Sequence, residues 1–259
     1  MEKASLGKHL TLGVIGGMGP TASLDFLSKL IAATPVTCEQ DHIRVILDSN
    51  PKVPERNQAI SAQARGETPE LGDPGPELAA MARGLQVAGA DFLIMACNTA
   101  HAFAPEIKAA ITIPFVSMVD ETVAHAAATA RGAVGILATQ GCVDAALYQT
   151  ALDGVGIKAI VLEPEAQARF MELLHEIKLG DLSGRVRAGM AELGRSLIRR
   201  GAGAIIAGCT EVPLVLSQDD IEVPLLDSTD HLARRCVRYA RGIEPLPKPL
   251  APIRNNAKV

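Results

Sequence analysis

Two short apolar runs, each ending in a cysteine, constrain this chain more than any other feature. Residues 92–96 lead into Cys97, Asn98, Thr99, Ala100 and His101; residues 204–208 lead into Cys209, Thr210 and Glu211. Both runs have the length and composition of buried strands. Each cysteine therefore stands where a strand hands over to a loop and then a helix. In α/β sheets that carboxyl end is where ligands bind. Backbone N–H groups and a helix N-terminus there favour a thiolate.

The two runs belong to an internal repeat. Gly89 pairs with Gly201 and Cys97 with Cys209, both 112 residues apart (201−89 and 209−97). A second pair follows the motifs, with six residues from Pro114 to Asp120 and from Pro224 to Asp230. A third opens each half: residues 13–19, rich in Gly, and residues 135–141, from Gly135 to Gly141. One unit reads as strand, Gly loop, helices, strand, Cys loop, helix and short strand. The predicted fold is α/β: two similar domains with mostly parallel sheets, related by a pseudo-twofold axis, with the active site in the cleft between them. The expected division is 1–116 plus 217–259 for the first domain, with the C-terminal helix and tail, and 117–216 for the second.

Along the chain, strands are expected at 10–15, 43–47 and 158–162. Thr21 is the expected cap of a helix reaching residue 33. Residues 48–51 carry turn chemistry. The stretch 65–76 holds three Gly and three Pro and predicts a mobile loop. Further helices are expected at 77–88, 120–131, 143–153, 167–178 and 182–200. After Arg241 the chain carries Pro245, Pro247, Pro249 and Pro252, which predicts a trailing arm and not a domain.

Composition narrows the function. Hydrophobic residues make up 48% of 259, ample for buried cores, while Trp is absent and aromatics are 3%. Such Ala, Val, Ile and Leu cores suit parallel sheets covered by helices. The net charge of −4 comes without a basic stripe, which argues against a nucleic-acid partner. No apolar run reaches membrane-spanning length, and residues 10–18 are too short and Gly-rich for a signal peptide. Five cysteines without disulfide-like spacing predict a reducing, cytoplasmic setting.

Two thiols on opposite faces of one carbon suit proton transfer with inversion. One takes the proton as thiolate and the other returns one as thiol. A substrate carboxylate then needs donors that stabilise the developing enolate-like charge. Asn98, Thr99, Thr210 and the N–H groups of the Gly19 and Gly141 loops are placed for this. Glu211 is placed to hold an ammonium group or orient a donor. Cys38 and Cys236 read as inert core thiols. Cys142 reads equally as site lining or loop packing. His101 reads as a packing residue that bonds on its own helix. Cys97 with His101 supplies two metal ligands and no CxxC occurs, so no metal is expected. The Gly16–Gly19 loop lacks the GxGxxG spacing of a dinucleotide site. Taken alone, Arg56 reads as a loop surface charge and Lys178 as a helix-end cation.

The combination of Gly16, Gly17, Met18, Gly19 and Pro20 with Cys97-Asn98-Thr99-Ala100-His101 and Gly208-Cys209-Thr210-Glu211 resembles the aspartate/glutamate racemase family, over residues 12–240. The nearest resemblance is to its aspartate racemases. It implies a homodimer of two-domain chains, independent of pyridoxal phosphate and metals, with no cofactor. It implies Cys97 and Cys209 as the paired acid/base residues and a small acidic amino acid as the partner. Arg56, in the stretch 50–56, and Lys178, in Ile177-Lys178-Leu179-Gly180, correspond to the cations that grip a side-chain carboxylate. Met18, Asn98, Thr99, Thr139, Gly141, Cys142, Thr210 and Glu211 are the other implied substrate contacts. Cys142 stands where the family carries a threonine hydroxyl, a stronger hydrogen-bond partner than a thiol. The alternatives are a glutamate or broad-specificity racemase, or a maleate-type cis–trans isomerase in which one cysteine attacks carbon. A two-lobed ligand-binding module is the non-enzymatic rival.

Overall fold

The structure is a computed structural model that describes residues 9–247. Pro249 and Pro252 of the expected arm lie outside the described residues. Before them, Glu244 pairs with Arg235 and Arg238, and Leu246 packs on the first sheet's core.

Among the described residues, eight strands form two four-stranded parallel sheets of the same design. The first contains β1 (Leu12–Gly16), β2 (Val45–Ser49), β3 (Phe92–Met95) and β4 (Phe115–Val116), in the order β2-β1-β3-β4. The second contains β5 (Ala133–Leu137), β6 (Ala159–Val161), β7 (Ala202–Ala207) and β8 (Leu225–Asp227), in the order β6-β5-β7-β8. The register carries the repeat into space. Leu12 to Ile15 pair with Phe92 to Met95, and Val134 to Leu137 pair with Ala204 to Ala207. The two Cys loops thus leave equivalent central strands, as the repeat predicts.

Apolar side chains on both faces of the central strands demand helices on both faces. In the first half, α2 (Arg56–Ala64), α3 (Pro74–Val87) and α4 (Ala104–Ala110) cover one face, where Ile60, Leu78, Leu85 and Ile107 meet Ile15, Leu93 and Met95. On the other face lie α1 (Pro20–Ala33) and α10 (Ser228–Ala240). In the second half, α8 (Pro164–Lys178) and α9 (Gly184–Arg199) cover one face. The other is covered by α5 (Met118–Thr129), α6 (Gln140–Asp144) and α7 (Leu147–Asp153).

The crossovers exchange partners. α5 follows β4 of the first sheet but buries Val119, Val123 and Ala126 on the second. α10 follows β8 of the second sheet but buries Leu232, Ala233, Cys236 and Val237 on the first. A boundary at 217 would separate β8 from the sheet it completes. We therefore propose Asp227, the N-cap of α10, as the return point.

Several local expectations are corrected. Gly19, not Thr21, is the N-cap of α1, with Pro20 opening the helix. Asp48 and Ser49 belong to β2. Residues 74–76 form the first turn of α3 and not a mobile loop, because Asp73 accepts from the Gly75 N–H and Pro74 needs no donor. The helix expected at 143–153 is two helices, broken at Ala146, whose φ of 50° is left-handed. Cys38 is exposed at a short 3-10 turn and is not a core thiol; Cys236 is buried as expected.

Two histidines are held neutral inside this fold. Burial pushes His101 down to about 4, and burial with the neighbouring His125 and Arg235 pushes His231 down to about 4. His231 stacks on His125 across α10 and α5, with ring centroids 4.3 Å apart. The unfolded chain binds these protons near pH 6.5, so the stability from neutral burial is full above that pH and is lost as pH falls toward 4. Tm measured by calorimetry should fall by several degrees between pH 7 and 5, and less steeply in His231→Gln. Identical slopes in the two proteins would remove His231 as a source of the effect.

Candidate active site

Cys97 and Cys209 are each separated by a single residue from the ends of β3 and β7 and are nearly enclosed, at 5% and 4% exposure. The chain beyond them differs. After Cys97 comes a 3-10 turn, Thr99–Phe103, leading into α4; after Cys209 comes only the 3-10 turn Val212–Leu214, so no α-helix starts at the second thiol.

Each thiol has its own support. His101 Nδ1 lies 2.8 Å from the Cys97 carbonyl, and the Met118 N–H donates to His101 Nε2 at 3.0 Å. The imidazole is therefore the Nδ1–H tautomer, locked between the Cys97 loop and the start of α5. The Cys209 thiol donates to Glu211 Oε2 at 3.0 Å, and Thr210 Oγ1 donates to the same oxygen at 2.9 Å. The other carboxylate oxygen, Oε1, accepts from the Gly19 N–H of the opposite half at 3.2 Å. Burial raises both thiol pKa values. For Cys97 the Arg56 cation opposes the rise more strongly than any other neighbour, whereas the Glu211 carboxylate drives Cys209 further up.

An outer cavity of about 200 Å³ opens between the halves, lined by Met18, Gly19, Arg56, Lys178, Glu211 and Leu214. Arg56 is the first residue of α2 and half-buried, which corrects the reading of a solvated loop charge. Its Nη1 donates to the Val53 and Pro54 carbonyls at 3.1 and 3.0 Å, and its buried Nε has no partner among the described residues. Lys178 is the last residue of α8 and is exposed. A wider groove of about 380 Å³ along α3 and α4 contains neither thiol nor any predicted site residue.

The remaining predicted residues meet at the seam between the halves, bonded to protein partners. Thr99 and Thr139 share a 2.7 Å hydroxyl hydrogen bond. Thr139 caps α6 by accepting from the Cys142 N–H at 3.2 Å, and the Gly141 N–H donates to Asn57 Oδ1 at 2.9 Å. Asn98 is bonded to Tyr148 and Ser228. Cys142 is buried against Val119, Val123 and Tyr148, and burial, with Cys97 nearby, pushes its thiol up to about 12. Gly17 holds the outer wall in place. Its φ is +90°, and a Cβ there would lie 2.4 Å from the Asn50 backbone nitrogen.

A sequence profile described as Asp/Glu/Hydantoin racemase matches residues 15–236, almost the whole of both halves. The chain belongs to this racemase family. The broad specificity amino-acid racemase RacX of Bacillus subtilis is 27% identical over 233 residues, 87% of this chain and 96% of the relative. A glutamate racemase of Pseudomonas paraeruginosa is 35% identical over 130 residues, 49% of this chain and 48% of its own length. Among solved structures, the Picrophilus torridus aspartate racemase superposes with a TM-score of 0.79 at 27% identity, covering 89% of this chain and 94% of that one.

Within this racemase fold, Asn57, Tyr148 and Ser228 are seam residues that sequence reasoning did not single out. Their partners lie 84, 50 and 130 positions away, so no local pattern marks them. Among the described residues no helix is long and apolar enough to cross a membrane, and no cluster of three or more His, Cys, Asp or Glu is arranged to hold a metal ion.

The burial pattern sets thiol reactivity. Of the five free cysteines only Cys38 is exposed. Iodoacetamide should modify Cys38 rapidly and the other four at least tenfold more slowly, as read by peptide mass spectrometry. Rapid modification of Cys209 would show that the seam stands open in solution.

Proposed function

We propose that this protein is a cofactor-independent amino-acid racemase that interconverts L- and D-aspartate through Cys97 and Cys209. The observation that carries the reading is the pair of enclosed thiols at equivalent strand ends, the second bonded to Glu211, which lines a small cavity together with Arg56 and Lys178. In one direction Cys97 acts as thiolate and takes the Cα proton. The electron pair passes into the α-carboxylate, and the Cys209 thiol returns a proton to the opposite face. Cys97 ends as thiol and Cys209 as thiolate; the reverse direction exchanges the roles, and solvent resets them. The Arg56 cation favours the Cys97 thiolate, and Glu211, bonded to Cys209, is placed to pass a solvent proton back to the Cys209 thiolate after each turnover. Arg56 and Lys178 suit a second carboxylate, because neither has an acidic partner among the described residues and such a cation gains most from a charge-assisted contact.

A broader substrate range is the second reading, favoured by the alignment with the broad specificity racemase over most of the chain. A panel of acidic and neutral amino acids, resolved by chiral chromatography without added cofactor, decides between them.

Cys97→Ser and Cys209→Ser should each lower racemisation by orders of magnitude while circular dichroism stays unchanged. In deuterated water the wild type should place solvent deuterium on Cα of the product. Near-normal turnover by either variant would end the two-thiol reading.

Arg56→Met removes the cation that most opposes the rise of the Cys97 pKa. The alkaline limb on which activity grows should therefore move to higher pH. KM for aspartate should rise about 10- to 100-fold, the equivalent of roughly 1.5–3 kcal/mol for one charge-assisted contact. An unshifted limb and an unchanged KM would place Arg56 outside the substrate grip.

A further inference from the structure

We infer that Tyr148 and Ser228 are positioning residues, which clamp the Asn98 side chain between them and so hold the Cys97 loop at its working distance from the Cys209 loop. The inference rests on the two-thiol reading above.

The geometry is a continuous buried chain across the seam. Tyr148, in α7 of the second half, donates from its hydroxyl to Asn98 Oδ1 at 2.5 Å. Asn98 Nδ2 donates to Ser228 Oγ at 3.2 Å, and Ser228 Oγ donates to the Ala207 carbonyl at 2.8 Å. Tyr148, Ser228 and Ala207 are fully buried, and Asn98 is 1% exposed. Asn98 is the residue after Cys97, and Ala207 stands two before Cys209. The chain therefore begins at one thiol loop and ends at the other.

Tyr148 touches the second loop as well. A Cβ at Gly208, immediately before Cys209, would lie 2.9 Å from the Tyr148 ring carbon Cε2. One rigid aromatic side chain thus packs against the residue before Cys209 while its hydroxyl holds the residue after Cys97. Both ends of the Asn98 amide are engaged, so its side chain is fixed in rotation and in tilt. In this structure both ends of the Asn98 amide are bonded to protein partners.

The chemical consequence follows from the tolerance of proton transfer to distance. Two thiols that serve one carbon from opposite faces must keep a set separation, and a 1 Å misplacement costs on the order of 100-fold in rate. On the proposed function, the side-chain carboxylate is gripped elsewhere, by Arg56 and Lys178 at the outer cavity. Loosening the brace should therefore lower kcat and leave KM nearly unchanged. An ordinary buried hydroxyl would affect stability alone.

The test uses the full chain with Tyr148→Phe, Ser228→Ala and the double variant. Aspartate racemisation gives kcat and KM, and iodoacetamide labelling gives the modification rate of Cys97 relative to Cys236. Cys236 is buried in α10 and reports general loosening. Each single variant should lower kcat at least tenfold with KM within threefold of wild type. The double variant should be no more than threefold worse than the poorer single, because both act on one amide. Cys97 labelling should rise at least fivefold relative to Cys236. A kcat within twofold of wild type, a KM rise matching the kcat loss, or equal acceleration at Cys97 and Cys236 each overturns the inference. If Tyr148→Phe does not fold, Ser228→Ala carries the test from the other end; if neither folds, the chain is a fold element and the inference falls. If the wild type does not racemise aspartate, the proposed function fails by itself, and an unchanged labelling ratio still overturns the brace.

Discussion

The structure depends on the reciprocal exchange of helices α5 and α10. Each central sheet is apolar on both faces, and neither half supplies all of its own cover. Leu232 and Val237 of α10 close the first sheet over Leu12, Val14 and Phe92. Val119 and Val123 of α5 close the second over Val134, Ile136 and Ile206. The two exchanged helices are also tied to each other. Arg235 donates to Glu121 Oε2 at 2.6 Å, and the Tyr239 hydroxyl donates to Glu121 Oε1 at 2.5 Å. A carboxylate this enclosed is tolerable only with such partners. The halves are thereby joined by hydrophobic burial as well as by polar contacts at the seam, and their strand ends face a common cleft.

From that join the two halves build different surroundings for equivalent thiols. His101 pins the first loop as a neutral ring that bridges a carbonyl and an amide. Glu211 receives the second thiol as an anion that also reaches Gly19 across the cleft. The resulting asymmetry is electrostatic: the strongest neighbouring charge is the Arg56 cation at Cys97 and the Glu211 carboxylate at Cys209. A repeat that is symmetric in backbone has become directional in charge.

The architecture was legible in the sequence because it rests on local signals. Apolar strands, glycines at the turns and the recurring Pro-to-Asp spacing all lie within a few residues of one another, and they imply two like sheets with a thiol at each central strand end. The shortfalls have physical causes. The helix starting at Arg56 has a weak apolar stripe and Glu55 as its cap, so it reads as loop. Ala146 takes a left-handed conformation without glycine, which hides the break between α6 and α7. β8 has only three residues, too few to declare its sheet. The outer cavity lining was partly readable: Arg56 and Lys178 stood out by resemblance, whereas the hydrogen bonds that close the seam join residues dozens of positions apart and have no local signature.

The helix exchange also shapes how the chain reaches this state. During synthesis β1 to β4 emerge long before α10, which lies more than a hundred residues after β4. At about 5–20 residues per second, the first sheet waits on the order of 10 s with one face only partly covered. Contacts such as those between the β1 core and Leu232 have a very large sequence separation, which slows folding because loop-closure entropy must be met before burial can offset it. The nascent first half therefore exposes apolar surface whose proper partner, α10, is made more than a hundred residues later. The same crossover that unites the two halves thus makes burial of the first sheet wait on Leu232, Ala233, Cys236 and Val237 of α10.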